Sequence, residues 1–338
     1  MMWTLATHIV LVAALLQLYP ADMGDVEAAL GQEPMRRMPT ISQIASVMRA
    51  DEPAPHVGAI PPRKVEPASL GVVTSAVSAL VVDRASGMVL YEKNSDASRS
   101  IGSISKLMTA LVYLDGNPDL DAPAALQGSD IRWGGIQHVS VGDVVRARDL
   151  LHASLIGSDN SATAALVRLS GLSEGDFVAR MNEKAAEIGM RATTFMDPTG
   201  LSADNRAVAA DIVRLLDVSL ANDDIRAATQ LAEVSFAGES GRVYTIPSTD
   251  ELLGTFLNED PYRVVGGKTG YLPEAGYCLG TVVSENGGHE IAVVVLGSET
   301  KAGRFTDVKA LAAWAFRVYE WADEPIADES AADVSTGV

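Results

Sequence analysis

The sequence is poor in several features that would have narrowed its function quickly. It has one cysteine, Cys278, among 338 residues. No intramolecular disulfide can form, and the core alone must hold the fold. Cys278 stands in the apolar run "YCLGTVV", where a buried strand residue is expected rather than a reactive thiol. Base is scarce: 26 Lys and Arg face 44 Asp and Glu, a net charge of −18. That balance lacks the clustered cations a phosphate backbone needs, so nucleic acid is not an expected partner. Much of the acid serves solubility. None of the five histidines lies in H-E-x-x-H or in a cluster at ligand spacing. A zinc peptidase is therefore excluded, and no metal or organic cofactor is expected. No serine lies in G-x-S-x-G, and His138, His152 and His289 occupy unrelated contexts, which argues against a Ser-His-Asp hydrolase. No internal repeat is visible.

What is present is enough for a large core. Hydrophobic residues make up 47% of the chain and charged residues 21%, the balance of a folded protein. "MMWTLATHIVLVAALLQLYPA" (1–21) has the length of a signal-peptide apolar region or slightly more, without a Lys or Arg ahead of it. It is expected to be a cleaved signal or an N-terminal membrane anchor. Residues 22–70, ending in "DEPAPHVGAIPPRKVEPASL", read as an extended linker. Residues 71–321 read as one domain, and 322–338 as an acidic, base-free disordered tail.

Within that domain, Ala79–Asp83 and Met88–Glu92 flank Gly87 as a hairpin. A helix follows, with Ile104, Leu107, Met108, Leu111 and Val112 at helical spacing. Two more helical patterns between Val141 and Leu169 are split at "GSDN", and further helices are expected over 173–190 and 208–221. "YRVVGGKTG", "GYCLGTVVSENG" and "HEIAVVVLG" predict an antiparallel meander, and "RFTDVKALAAWAFRVYEW" an amphipathic helix. The order strands, helices, strands, helix argues for an α/β domain in which early and late strands share a sheet, with a helical insertion between them.

Three short motifs carry chemistry. In "SISKLMTALV", Ser103 and Lys106 fall at i and i+3 at the start of a helix. They share a face there, and the positive end of the helix favours a developing alkoxide. A serine hydroxyl needs a nearby base, and a lysine can serve if burial or positive charge lowers its pKa. Ser298 and Lys301 in "GSETK" have the same spacing at the end of a strand. Ser158-Asp159-Asn160 lies at a helix break, where it could aim a hydroxyl and an amide into a cleft or simply cap a helix. "SEN" at 284–286 repeats the pattern in a hairpin turn. "GGKTG" ends a strand. Its glycines permit close backbone approach, Lys268 offers fixed positive charge suited to a carboxylate, Thr269 offers a hydroxyl, and the strand edge could pair with an extended peptide.

The ordered triplet S-x-x-K, S-x-N, K-T-G is that of penicillin-binding proteins and class A β-lactamases. From about residue 75 to about 320 the chain resembles the serine D-alanyl-D-alanine peptidases, the low-molecular-mass penicillin-binding proteins. The likeness extends to "SALVVDRASGMVLYEKN", "LLHASLIGSDNSATAALV", "FVARMNEKAAEIGMRATTFMDPTGLS" and "GGKTGYLPEAGYCLG". It implies the transpeptidase-like fold, an antiparallel sheet flanked by helices. It also implies peptidoglycan stem peptides as substrate, β-lactams as inhibitors, and export to the periplasm or the outer face of the cytoplasmic membrane. By the same resemblance Ser103 would be acylated, Lys106 would be its base, and Ser158 would pass the proton to the departing amine. Asn160, Lys268, Thr269, Gly270 and Tyr271 would bind substrate, with the N–H groups of Ser103 and Tyr271 as oxyanion hole. The expected reaction is removal of the terminal D-alanine. The alternative is cross-link cleavage, because "MDPTGLS" followed by "IPSTDELL" looks like the endopeptidase branch. A β-lactamase would carry E-x-x-L-N where this chain has "FMDPTGLSADN". A module with dead chemistry would not keep the whole set of reactive residues.

Overall fold

The computed structural model describes residues 59–285 and 288–322. The signal or anchor expected over 1–21, most of the linker and nearly all of the acidic tail lie outside the described residues. In chain order the domain begins with β1 (Ser78–Asp83) and β2 (Val89–Lys93). The insertion carries α1 (Ser105–Asp115), α2 (Ala147–Leu155), α3 (Asn160–Leu169), α4 (Glu174–Glu187), α5 (Ala209–Ala221) and α6 (Asp223–Thr229). The hairpin β3 (Glu233–Ala237) and β4 (Val243–Pro247) follows. The chain then returns to the sheet through β5 (Tyr262–Leu272), β6 (Gly276–Glu285) and β7 (Glu290–Ser298), and α7 (Lys301–Val318) closes the domain.

The five long strands form one antiparallel sheet in the order β5-β6-β7-β1-β2. The expected pairing of early with late strands is thus the β7–β1 contact. Strand alternation explains why β1 and β7 are apolar at successive positions. Leu80, Val82, Ala292, Val294 and Leu296 face the helical insertion, whereas Ala79, Val81, Ile291, Val293 and Val295 face α7. A sheet buried on both sides needs apolar residues on both.

Three local expectations change. The helical pattern from Val141 starts only at Ala147, because Val144–Arg146 pairs as a short ribbon with Pro123–Ala125. The last helix is not one-sided. Besides its sheet face, it buries Asp307 and Trp314, because the preceding chain lies across it. Ser75 and Ala76 donate to Asp307, and Trp314 Nε1 donates to Ser69 Oγ at 2.8 Å. For the same reason the linker does not run to residue 70. Arg63–Lys64 pairs with Tyr319–Glu320, so this stretch is attached to the domain.

Candidate active site

α1 is set by its sequence. Ile104, Leu107, Met108, Leu111 and Val112 are all buried, and no glycine or proline interrupts the helix. It stops at Gly116, followed by Asn117 in the left-handed region (φ 50°) and Pro118. Ser103 itself is not in the helix. It lies in a 3-10 turn, Gly102–Ile104, that leads into it. The turn is entered from a ribbon between Arg99–Ser100 and Arg206–Ala207. It is wedged against the free edge of β5. A Cβ at Gly102 would lie 2.7 Å from Tyr271 N, one at Gly270 2.2 Å from Ile101 O, and one at Gly200 2.2 Å from Gly102 O. Only glycine allows these three backbone segments to meet.

One helical turn on, Lys106 is 0% exposed. Its Nζ donates to Ser103 Oγ at 2.9 Å, to Asn160 Oδ1 at 2.6 Å and to the Thr199 carbonyl at 2.5 Å. Burial pulls its pKa down from 10.5 to about 7, against the charges of Asp197 and Asp159, which raise it. Asn160 is the first residue of α3, and its amide donates to the Gly134 carbonyl. The helix is capped by Asp159, whose carboxylate accepts from Ser161 N and Ala162 N. Both readings of "SDN" therefore hold, on different residues. The middle one caps, and the outer two face the cleft. Ser158 adopts φ 58°, an unusual conformation for a side-chain-bearing residue.

β5 brings the third motif. Lys268 is 1% exposed, and its Nζ donates to Ser158 Oγ at 3.0 Å and to the Thr269 carbonyl at 3.2 Å. Burial holds its pKa well below the usual lysine value, and the charges of Lys106 and Arg304 push the same way. This corrects the expectation of a fixed positive charge offered to a substrate: Lys268 lies behind Ser158. The groups of this region that line the cleft are Thr269 and Thr249, whose hydroxyls are 2.7 Å apart. Arg304 on α7 also lines the cleft, and its Nη1 donates to the Gly270 carbonyl at 3.1 Å.

These residues surround one cleft of about 540 Å³, lined by Ser103, Ser158, Asn160, Thr249, Thr269 and Tyr271 among others. The structure thus brings all eight expected site residues to one place, with Lys106 and Lys268 beneath its surface. The look-alikes are held by other partners, although Lys301 also lines the cleft. Ser298 donates to Asp307 at 2.8 Å, and Lys301 pairs with Glu251 at 2.7 Å. Ser284 is in β6, and Asn286 lies outside the described residues. Cys278 is buried in β6, where burial pushes its thiol up to about 11. Among the described residues no His, Cys, Asp and Glu cluster could hold a metal ion.

Sequence reasoning missed Thr249, Arg304 and the Asp197 loop. Asp197 accepts from the backbone N–H groups of Thr199, Gly200 and Ser202 and from the Thr199 hydroxyl. Burial would raise its pKa, but those hydrogen bonds outweigh it and keep the carboxylate below its usual value. The loop so formed delivers the Thr199 carbonyl to Lys106. Arg304 did leave a signal. A cation in the first turn of a helix opposes the macrodipole, so something else must hold it there.

The comparisons agree with this geometry. Residues 64–300 match the family model described as D-alanyl-D-alanine carboxypeptidase. The chain is 35% identical over 246 residues to a D-alanyl-D-alanine endopeptidase of Pseudomonas aeruginosa, covering 70% of this chain and 76% of that one. A D-alanyl-D-alanine carboxypeptidase of Bacillus subtilis is 30% identical over 254 residues, 72% of this chain and 63% of that one. Among solved structures, a Streptomyces DD-transpeptidase is 26% identical with a TM-score of 0.68, covering 74% of this chain and 100% of that one. The fold is therefore that of the penicillin-binding DD-peptidases, and the chain belongs to the D-alanyl-D-alanine carboxypeptidase family of serine hydrolases.

Proposed function

We propose that this protein cleaves the bond after D-alanine in peptidoglycan stem peptides through an acyl-enzyme on Ser103. The observation that carries the reading is the 2.9 Å contact from the buried Lys106 Nζ to Ser103 Oγ. A lysine brought to about 7 is substantially neutral near neutral pH and can take the serine proton. Ser103 Oγ then bonds to the D-alanyl carbonyl carbon. The resulting oxyanion meets the N–H groups of Ser103 and Tyr271, which the glycine contacts at 102 and 270 bring together. Such donors contribute about 3 kcal/mol each. As the C–N bond breaks, Ser158 gives its proton to the departing amine and is refilled through Lys268, which donates to it, so that the proton Lys106 took from Ser103 replaces the one that leaves. Thr269, Thr249 and Arg304 receive the carboxylate next to that amine. Water then hydrolyses the ester and restores Ser103. A β-lactam carbonyl would enter the same path and form a slowly hydrolysed ester.

Carboxypeptidase and endopeptidase substrates share the leaving amine with its adjacent carboxylate. They differ in what that carbon carries: a methyl, or the side chain leading to a second stem. The endopeptidase form is favoured by one finding. The relatives named endopeptidase, from Pseudomonas aeruginosa, Haemophilus influenzae and Escherichia coli, are 33–35% identical, whereas relatives named carboxypeptidase are 27–30% identical. We place the site of action outside the cytoplasmic membrane, on the strength of the apolar N-terminus and the substrate. No helix among the described residues is long and apolar enough to cross a membrane.

The test is mass analysis of a monomeric pentapeptide fragment and a cross-linked dimer after incubation with the protein, with and without penicillin. Conversion of dimer to monomer, blocked by penicillin, is the expected result. Loss of one D-alanine from the monomer with dimers intact would replace it with the carboxypeptidase form. No penicillin-sensitive change in either would overturn the peptidase reading.

A further inference from the structure

The cleft wall carries a charge that the steps above leave unused. Among the described residues no Asp or Glu lines it, although the chain holds 44 of them against 26 Lys and Arg. Two cations do, Arg304 and Lys301. Both stand in the first turn of α7, which contains no acid. Being three residues apart, they share a face of the helix. Cations at the positive end of a helix oppose its dipole, and their mutual repulsion adds to that cost. Arg304 is held by the Gly270 carbonyl. Lys301 reaches instead to Glu251, 2.7 Å away and two residues after Thr249. That contact puts Lys301 at the Thr249 end of the cleft, the end assigned above to the carboxylate beside the departing amine. The two side chains are 62% and 52% exposed. Such a pair contributes little, so Lys301 can exchange Glu251 for another anion at small cost.

We infer that Lys301 is a specificity-determining residue: it receives a second carboxylate of the leaving group, one that a cross-linked stem carries and a lone D-alanine does not. The inference rests on the endopeptidase form of the reading above. When a terminal D-alanine leaves, its single carboxylate is met by Thr269, Thr249 and Arg304. When a cross-link is cut, the departing amine belongs to a peptide whose own chain ends in another carboxylate. Arg304 is then already engaged, and Lys301 is the cation that remains on the described cleft wall. A lysine is a point charge on a flexible stem, which suits an anion held at the end of a long leaving group. The absence of acid from the described wall means that nothing lining it repels that anion.

The test measures kcat/KM on a cross-linked dimer and on the monomeric pentapeptide and reads their ratio. It compares wild type with Lys301→Gln, Lys301→Glu, Lys301→Arg and Glu251→Gln. Lys301→Gln should lower the dimer-to-monomer ratio about threefold, the size of an exposed ion pair, chiefly through KM. Lys301→Glu should lower it about tenfold, because repulsion joins the lost attraction, and Lys301→Arg should keep it. Glu251→Gln should raise the ratio, since it frees Lys301. The wild-type ratio should also fall when the second-stem carboxylates of the dimer are amidated, and when salt is added. A Lys301→Gln ratio equal to that of wild type overturns the inference alone. So does a Glu251→Gln ratio that falls alongside it, the result expected if the ion pair only braces α7. Amidation needs no variant, and a wild type indifferent to it overturns the inference equally. A wild type that trims the monomer and leaves dimers intact removes the endopeptidase form and this inference with it. One inert to penicillin and to both peptides overturns the whole peptidase reading.

Discussion

The helix that carries Lys106 and the strand that carries Lys268 each bury a lysine completely beneath a serine, yet they treat the charge differently. Lys106 has three oxygen acceptors and the charges of Asp197 and Asp159 to set against burial. Lys268 has Ser158, its neighbour's carbonyl and mostly cations around it. Burial lowers a lysine's pKa in either place. The surroundings decide how far burial is opposed: two carboxylates and three acceptors at Lys106, mostly cations at Lys268. On the proposed mechanism, two residues of one type, equally buried, serve opposite halves of one proton path: Lys106 accepts, and Lys268 supports a donor.

That contrast can be broken at several points. Replacing Ser103 by Ala should abolish the covalent penicillin adduct, seen by mass, and reduce hydrolysis by about 10⁴-fold or more. An adduct that survives would place the nucleophile elsewhere. Lys106→Met should slow acylation toward the upper end of the roughly 10²–10⁴-fold range of a general acid–base group, and Lys268→Met toward its lower end. Equal losses in stopped-flow acylation would erase the asymmetry. Acylation by wild type should rise as pH climbs through about 7, because Lys106 acts only after losing its proton. A rate falling over that interval would mean that Lys106 works protonated. The smallest effect on activity belongs outside both arms. Asp307 accepts from Ser75, Ala76 and Ser298, so Asp307→Asn should cost about 1–3 kcal/mol in unfolding. It should leave the acylation rate unchanged, and a changed rate would show that α7 and the chain lying across it are coupled to the cleft.

Much of this was legible before any coordinates. The hairpin of β1 and β2, the meander of β5 to β7 and α4 with its Ser173 cap follow from alternation, helical spacing and capping chemistry, which are local properties. The eight candidate site residues are legible because the motifs are short and two of them sit at helix starts; the third lies within β5, which runs on to Leu272. Thr249 and Arg304 were missed because their importance comes from partners far along the chain: Thr269 for one, the Gly270 carbonyl for the other. The start of α2 was misplaced because Val144–Arg146 is claimed by a partner strand, a pairing that a window of local sequence does not contain.

By itself, then, the sequence determined which chemistry was available: a serine three residues before a lysine, a second serine and amide at a helix break, and a lysine-threonine pair within a glycine-rich strand. It also determined that β1 and β7 must be covered on both sides. Only the tertiary structure decided what each lysine is. A pKa is a property of surroundings, and the surroundings of Lys106 and Lys268 are assembled from α1, α3, β5, α7 and the Asp197 loop, segments separated by up to two hundred residues of chain.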